Sequence, residues 1–204
     1  MTTLGVTGGI GSGKTALVRR LADKPGVRVI LADDLAKRLM VEDDAVRDAL
    51  VARFGDAVYT ADGTLDRAHL AGRVFGDAGE LAALNAIVHP AVRRALLDAQ
   101  TRAQADGVRL LVYEAALLVE TGGDAVVDHV AVVDAPVETR VARAMARDGS
   151  TRADVLARLD KQADPSTLRA AADTVVVNDG SLADLHAAAD ALYAALVSYA
   201  APST

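Results

Sequence analysis

Five short stretches of the chain are apolar at consecutive positions, not alternate ones: TLGVT at 3–7, VRVILA at 27–32, VRLLVYEA at 108–115, HVAVVDA at 129–135 and DTVVVND at 173–179. Strands covered on both faces read this way, as parallel strands in an α/β sheet do. The segments between them are spaced for helices. Leu17, Val18 and Leu21 share one face of the first. In the last, Leu182, Leu185, Ala189, Leu192 and Leu196 follow three-and-four spacing, with Ser181 placed to cap it. Such alternation predicts an α/β fold with a five-stranded parallel sheet and helices on both sides.

Two regions depart from the alternation. Residues 33–106 hold several helical stretches and no strand signal, which predicts a helical insertion between the second and third strands. Residues 147–166, RDGSTRADVLARLDKQADPS, are charged and contain Gly, Ser and Pro. They are expected to form a mobile lid, the alternative being a solvated helix pair. The core is then 1–32, 107–146 and 167–204, in a single chain without internal repeats.

Composition narrows the class. Half of the 204 residues are hydrophobic (51%), yet Trp is absent and there are only two Phe and four Tyr, so Ala, Val and Leu must build the core. With no cysteine, disulfides and thiolate metal sites are excluded. A net charge of −6 argues against a nucleic-acid partner, so an anionic substrate must meet a local basic cluster. No uninterrupted apolar run of about 18 residues occurs, and no membrane span or secretory leader is expected. The default expectation is a cytoplasmic protein, monomeric or a small homo-oligomer.

Candidate chemistry begins at once. Residues 8–15, GGIGSGKT, satisfy G-x-x-x-x-G-K-[ST] between a strand and an amphipathic helix. Glycines let the backbone turn its N–H groups toward phosphates, and the helix adds its positive end. Gly9, Gly11, Ser12, Gly13, Lys14, Thr15 and Ala16 are the expected nucleotide contacts. Lys14 would bridge β- and γ-phosphates, and the Thr15 hydroxyl would hold Mg²⁺. An accidental glycine-rich turn is the alternative, and the flanking strand and helix argue against it. The reading is an ATP or GTP site.

A GTPase needs an N-K-x-D guanine reader, which is missing, and a transporter ATPase an L-S-G-G-Q-like signature, also missing. A small phosphotransferase remains. Asp33 lies just past the second strand, where it could orient or deprotonate an acceptor hydroxyl. It could equally cap the helix that follows, with Asp34 sharing that work. Arg140, Arg143 and Arg147 recur at three and four residues, on one helical face, where they could neutralise a transferred phosphoryl group or form a solvated basic stripe. His89 precedes Pro90 in the insertion; alone, it reads first as structural, with the proline at a helix start.

From Thr7 to about Leu185 the chain resembles the dephospho-CoA kinase family. The matching pieces are TGGIGSGKT (7–15), AD (32–33), GTLDR (63–67), VF (74–75), LNAIVHP (84–90), LLVE (117–120), RAMARD (143–148), R-x-x-x-Q (158–162) and NDG (178–180). The resemblance implies a P-loop NTPase three-layer fold with a helical substrate domain and a lid. It also implies transfer of the ATP γ-phosphoryl group to the ribose 3′-hydroxyl of dephospho-CoA, with Mg²⁺. Residue by residue it implies Asp33 as base or hydroxyl-orienting group, and Lys14, Arg143 and Arg147 as further catalytic groups. Lys37, Arg67, His89, Glu120, Arg140 and Arg158 fall on the acceptor side, Arg158 with the lid arginines. Asn178 and Gly180 fall in a loop near the adenine.

The chain departs from the family pattern at four positions. Leu31 stands where the first Asp of a D-x-D pair is usual, and Ala116 where a proline precedes LLxE. Arg140 replaces a common glutamine and Lys37 a common arginine; Lys37 keeps the charge but loses the planar fork. Rival readings are a kinase for a nucleoside monophosphate or a sugar acid, and a non-catalytic nucleotide sensor.

Overall fold

In the computed structural model, residues 1–160 and 162–199 are described. Strands β1 (Thr2–Thr7), β2 (Val27–Leu31), β3 (Leu110–Glu114), β4 (His129–Asp134) and β5 (Thr174–Val177) form one sheet ordered β2-β3-β1-β4-β5, with every adjacent pair parallel. Leu4 of β1 lies opposite Val112 of β3 and His129 of β4. The chain leaves β1 toward one edge of the sheet and leaves β3 toward the other. The carboxyl end of β1 therefore lies where ligands gather in open α/β sheets.

Burial explains the continuous apolar strands. On one face Leu4, Val6, Leu110, Val112, Ala131, Val133 and Val176 pack against helices α1 (Lys14–Ala22) and α9 (Leu182–Tyr199). Of the predicted periodic residues, Leu17, Val18, Leu21, Leu185, Ala189, Leu192 and Leu196 belong to this cluster, whereas Leu182, in the first turn of α9, is exposed. Burying each Leu or Val contributes about 1.5–3 kcal/mol. At the rim, Asp190 of α9 accepts from Arg20 at 2.6 Å and pairs with Lys24 at 2.7 Å. Ser181 caps α9: its Oγ accepts from Asp184 N at 3.2 Å, while Asp184 Oδ2 accepts from Ser181 N at 2.8 Å.

Residues Ala32–Ala99 form a second compact unit, the first comprising Met1–Leu31 with the chain from Gln100 onward. The second unit holds α2 (Ala32–Glu42), α3 (Asp44–Phe54), α4 (Arg67–Val74) and most of α5 (Ala78–Ala105). Its core is Val46, Leu50, Phe54, Val58, Leu65, Leu70 and Ala91. Pro90 lies inside α5, not at a helix start. The proline forfeits one main-chain donor there, and 28 residues of helix continue around it.

The first unit is completed by α6 (Val137–Asp148), α7 (Arg152–Leu159) and α8 (Pro165–Ala170). Residues 147–166 thus contribute the end of α6, the whole of α7 and the start of α8. A reciprocal cap between Thr151 and Asp154 starts α7, and Asp164 caps α8 ahead of Pro165. Among the described residues no helix is long and apolar enough to cross a membrane.

Candidate functional site

Residues 8–15 connect β1 to α1 as a tight loop. Ser12 N donates to Gly9 O at 3.1 Å, and Gly13, in a left-handed conformation (φ 104°), caps the helix through its carbonyl. The first-turn amides of α1 cannot be satisfied within the helix and form a ready anion site. Lys14 is buried and folds its ammonium back over the loop, donating to Gly8 O at 2.5 Å and Gly9 O at 3.2 Å. Thr15 beside it is exposed. Ser12 Oγ is buried without a hydrogen-bond partner among the described residues, so its hydrogen-bonding capacity is unused here.

Two glycines are required by what packs behind the loop. A Cβ on Gly9 would occupy the Arg140 guanidinium, and one on Gly11 (φ +75°) would strike the main-chain carbonyl of Arg140. Arg140, expected on the acceptor side, is placed behind the donor loop. It is 6% exposed, and its Nε donates to Ile10 O at 3.1 Å. Burial pulls its pKa down, and the charge of Asp134 opposes that shift.

The rest of the first unit adds further groupings around the loop. Asn178 is buried and donates from Nδ2 to Ser12 O at 2.7 Å, while its main-chain carbonyl accepts from Arg143 Nη1 at 3.2 Å. Gly180 is exposed beside the α9 cap, where a Cβ would stand 2.7 Å from Asp184 Oδ2. Asp148 gathers Arg147 (2.6 Å) and Arg158 (2.8 Å), and these guanidinium groups hold its carboxyl well below the usual carboxylate range. Glu120 accepts from Ala163 N at 3.1 Å, and Gln162 Oε1 accepts from Ile10 N at 2.8 Å.

Asp33, Lys37, Arg67 and His89 lie on three helices of the second unit. Helix α2 begins at Ala32, so Asp33 sits inside its first turn and does not precede it as a cap. A carboxylate there still favours the helix dipole. Asp33 and Lys37 are one turn apart and exposed; Lys37 pairs with Asp34 at 3.2 Å. In GTLDR, Gly63 has φ +81°, Leu65 is buried, and Asp66 caps α4 by accepting from His69 N at 2.9 Å. Arg67 is thereby left as an exposed member at the helix start. His89 is half-buried, and burial lowers its pKa.

A sequence model described as dephospho-CoA kinase matches residues 2–184. The chain belongs to the dephospho-CoA kinase family. A relative from Salinibacter ruber, named dephospho-CoA kinase, is 52% identical over 193 residues, covering 95% of this chain and 96% of its own. One of the same name from Thiobacillus denitrificans is 44% identical and covers 98% of each chain. A crystal structure from Thermus thermophilus superposes with a TM-score of 0.78 at 38% identity, covering 96% of this chain and 97% of that one. An Acinetobacter baumannii shikimate kinase, solved with shikimate, shares the P-loop kinase fold alone, at TM-score 0.57 and 15% identity over 98% of this chain and 94% of that one.

The loop and Arg67, Arg140, Arg143, Arg147 and Arg158 stand out in the sequence, whereas Gln162, Asp148 and Asp134 carry no role there. Gln162 and Asp148 close two recurring patterns, R-x-x-x-Q and RAMARD, yet neither spacing indicates what the side chain touches. Asp134 ends β4 and pairs with Arg169 of α8.

Proposed function

We propose that the protein transfers the γ-phosphoryl group of ATP to the ribose 3′-hydroxyl of dephospho-CoA, yielding coenzyme A and ADP. The observation that carries this reading is the donor loop of a dephospho-CoA kinase family member. Lys14, the first-turn amides of α1 and an unpartnered Ser12 hydroxyl converge on one loop. Such a transfer asks the protein mainly to position and to neutralise charge. Lys14 and the loop amides hold the donor phosphates. Arg143 and Arg147 neutralise charge on the moving group, with Arg158 beside Arg147 on Asp148.

Mg²⁺ fits the donor set. Mg²⁺ keeps several waters and nucleotide oxygens and needs few protein oxygens, and the exposed Thr15 hydroxyl at the start of α1 offers one. Thr15 is the protein oxygen that would hold it, and the ion would offset the charge of the β- and γ-phosphates. Leu31, 37% exposed at the end of β2, supplies no carboxylate to that set.

On the acceptor side Asp33 orients or deprotonates the attacking hydroxyl, and Lys37, Arg67, His89 and Glu120 bind the acceptor. Asn178 and Gly180 border the adenine, and residues 147–166 close over the bound nucleotide. The enzyme works in the cytoplasm as a monomer or small homo-oligomer. ADP release and product mass should be measured with Mg-ATP and dephospho-CoA, AMP or gluconate as acceptor. Turnover confined to dephospho-CoA, with a mass gain of one phosphoryl group, is expected. Equal turnover with AMP or gluconate would overturn the assignment.

A further inference from the structure

We propose that Gln162 is a positioning residue for the donor loop: its side-chain carbonyl pins the Ile10 amide and ties the order of residues 8–15 to that of the α7 segment. The proposal rests on the reading of residues 8–15 as the triphosphate loop. Ile10 sits at the crown of that loop, where a main chain usually turns its polar groups to water or ligand. Here both are taken by side chains from distant parts of the sequence. Gln162 Oε1 accepts from Ile10 N at 2.8 Å, and Arg140 Nε donates to Ile10 O at 3.1 Å. The Ile10 side chain is fixed as well, packing on Val141, Ala144 and Val155 beside Leu156 and Leu159. Helices α6 and α7, with Gln162 just beyond α7, therefore grip one residue of the loop by its donor, its acceptor and its apolar group.

The chemistry of the grip suits glutamine. A neutral carbonyl satisfies the amide without setting a negative charge beside a polyphosphate. A carboxylate would make the same hydrogen bond while repelling the ligand. An aliphatic side chain would leave the amide unpaired in a half-buried place and free the crown to move. Gln162 is followed by Ala163, whose amide donates to Glu120 at 3.1 Å, so the stretch presenting the side chain is itself anchored. Leu168 and Pro165, from the next helix, line a small cavity with Gly9 and Arg140, which brings the same segment against the back of the loop.

Gln162→Leu and Gln162→Glu test the proposal in the full chain, with wild type alongside. Hydrogen exchange at the Ile10 amide and across α7 is measured together with steady-state kinetics. In Gln162→Leu, exchange should rise at both places and KM for ATP should rise about tenfold, the loss of one such contact. The KM for the acceptor should hold and kcat should stay within about threefold, as for loss of uniform binding. Gln162→Glu should keep the Ile10 amide protected while still raising KM for ATP. An unchanged KM for ATP in Gln162→Leu overturns the proposal. So does tighter ATP binding, which would make the side chain a competitor for the amide, or an unprotected Ile10 amide in Gln162→Glu. A wild-type protein that does not bind ATP at all overturns the reading of the loop itself, so the two failures are distinct.

Discussion

Gly11→Ala is a sharp test of how the donor loop is built. Two separate costs meet at this position. Its φ of +75° lies in the left-handed region, which costs an L-residue about 1–2 kcal/mol. The new methyl would also strike the Arg140 carbonyl, carbon and Cα, all main chain of α6 that no rotamer change can move. Forcing a methyl into packed surroundings costs about 1–3 kcal/mol. Gly122→Ala serves as control, because Gly122 has φ +67° with nothing within 4 Å and incurs the conformational cost alone. The difference between the two variants, about 1–3 kcal/mol, isolates the contact with α6. Thermal melts read it at about 2–4 °C per kcal/mol for a chain of this size. Nucleotide titration should show Gly11→Ala binding ATP more weakly and Gly122→Ala unchanged. Equal melting temperatures for the two variants would refute the close packing of α6 on the loop.

The remaining predictions concern the reacting groups. Lys14→Ala should lower kcat by about 10²–10³ with the circular dichroism spectrum retained, because a charge beside the transferred phosphate is lost; near-normal kcat would show the loop is misread. Asp33→Asn should lower kcat by about 10²–10⁴ while ATP affinity holds, and full activity in that variant would remove Asp33 from the mechanism. His89 should titrate below 6.5 by NMR, since burial disfavours its charged form. Its folded pKa being depressed, the unfolded chain binds the extra proton first. Stability should therefore be level above pH 6.5 and decline as pH falls from there toward the folded value. Wild type should show a decline in that window that His89→Gln lacks, and a midpoint at or above 6.5 would contradict the burial argument.

Much of the core was legible because strands buried on both faces cannot hide their composition. All five apolar runs became strands, and the three-and-four spacing from 182 to 196 became α9. Strand order was not legible, since a run such as residues 108–115 carries no mark of its neighbours. The site divided in the same way. GGIGSGKT declares a phosphate loop because glycine, lysine and threonine each have a stereochemical reason to be there. Arg140 does not declare itself: an arginine on an amphipathic helix reads as solvent-facing until the fold shows Gly9 yielding the space it fills. Pro90 misled for a related reason, since sequence favours proline at helix starts while a long helix can absorb one within. Within GTLDR the glycine, leucine and aspartate serve local architecture, while Arg67, the residue expected on the acceptor side, is left exposed.

The parallel register carries a consequence for synthesis. β1 is made before the rest of the sheet: its partners begin at Leu110 and His129, and the side chains bracing its loop come from Arg140, Gln162 and Asn178. The Asn178–Ser12 contact spans 166 residues. At about 5–20 residues per second, β1 waits on the order of ten to thirty seconds for that brace. For much of that interval the apolar strand lacks its partners β3 and β4, and throughout it the glycine-rich loop lacks the Asn178 brace. The N-terminal segment is thus the part of the nascent chain that most needs shielding, and a truncated translation product would carry the nucleotide motif without the scaffold that gives it shape.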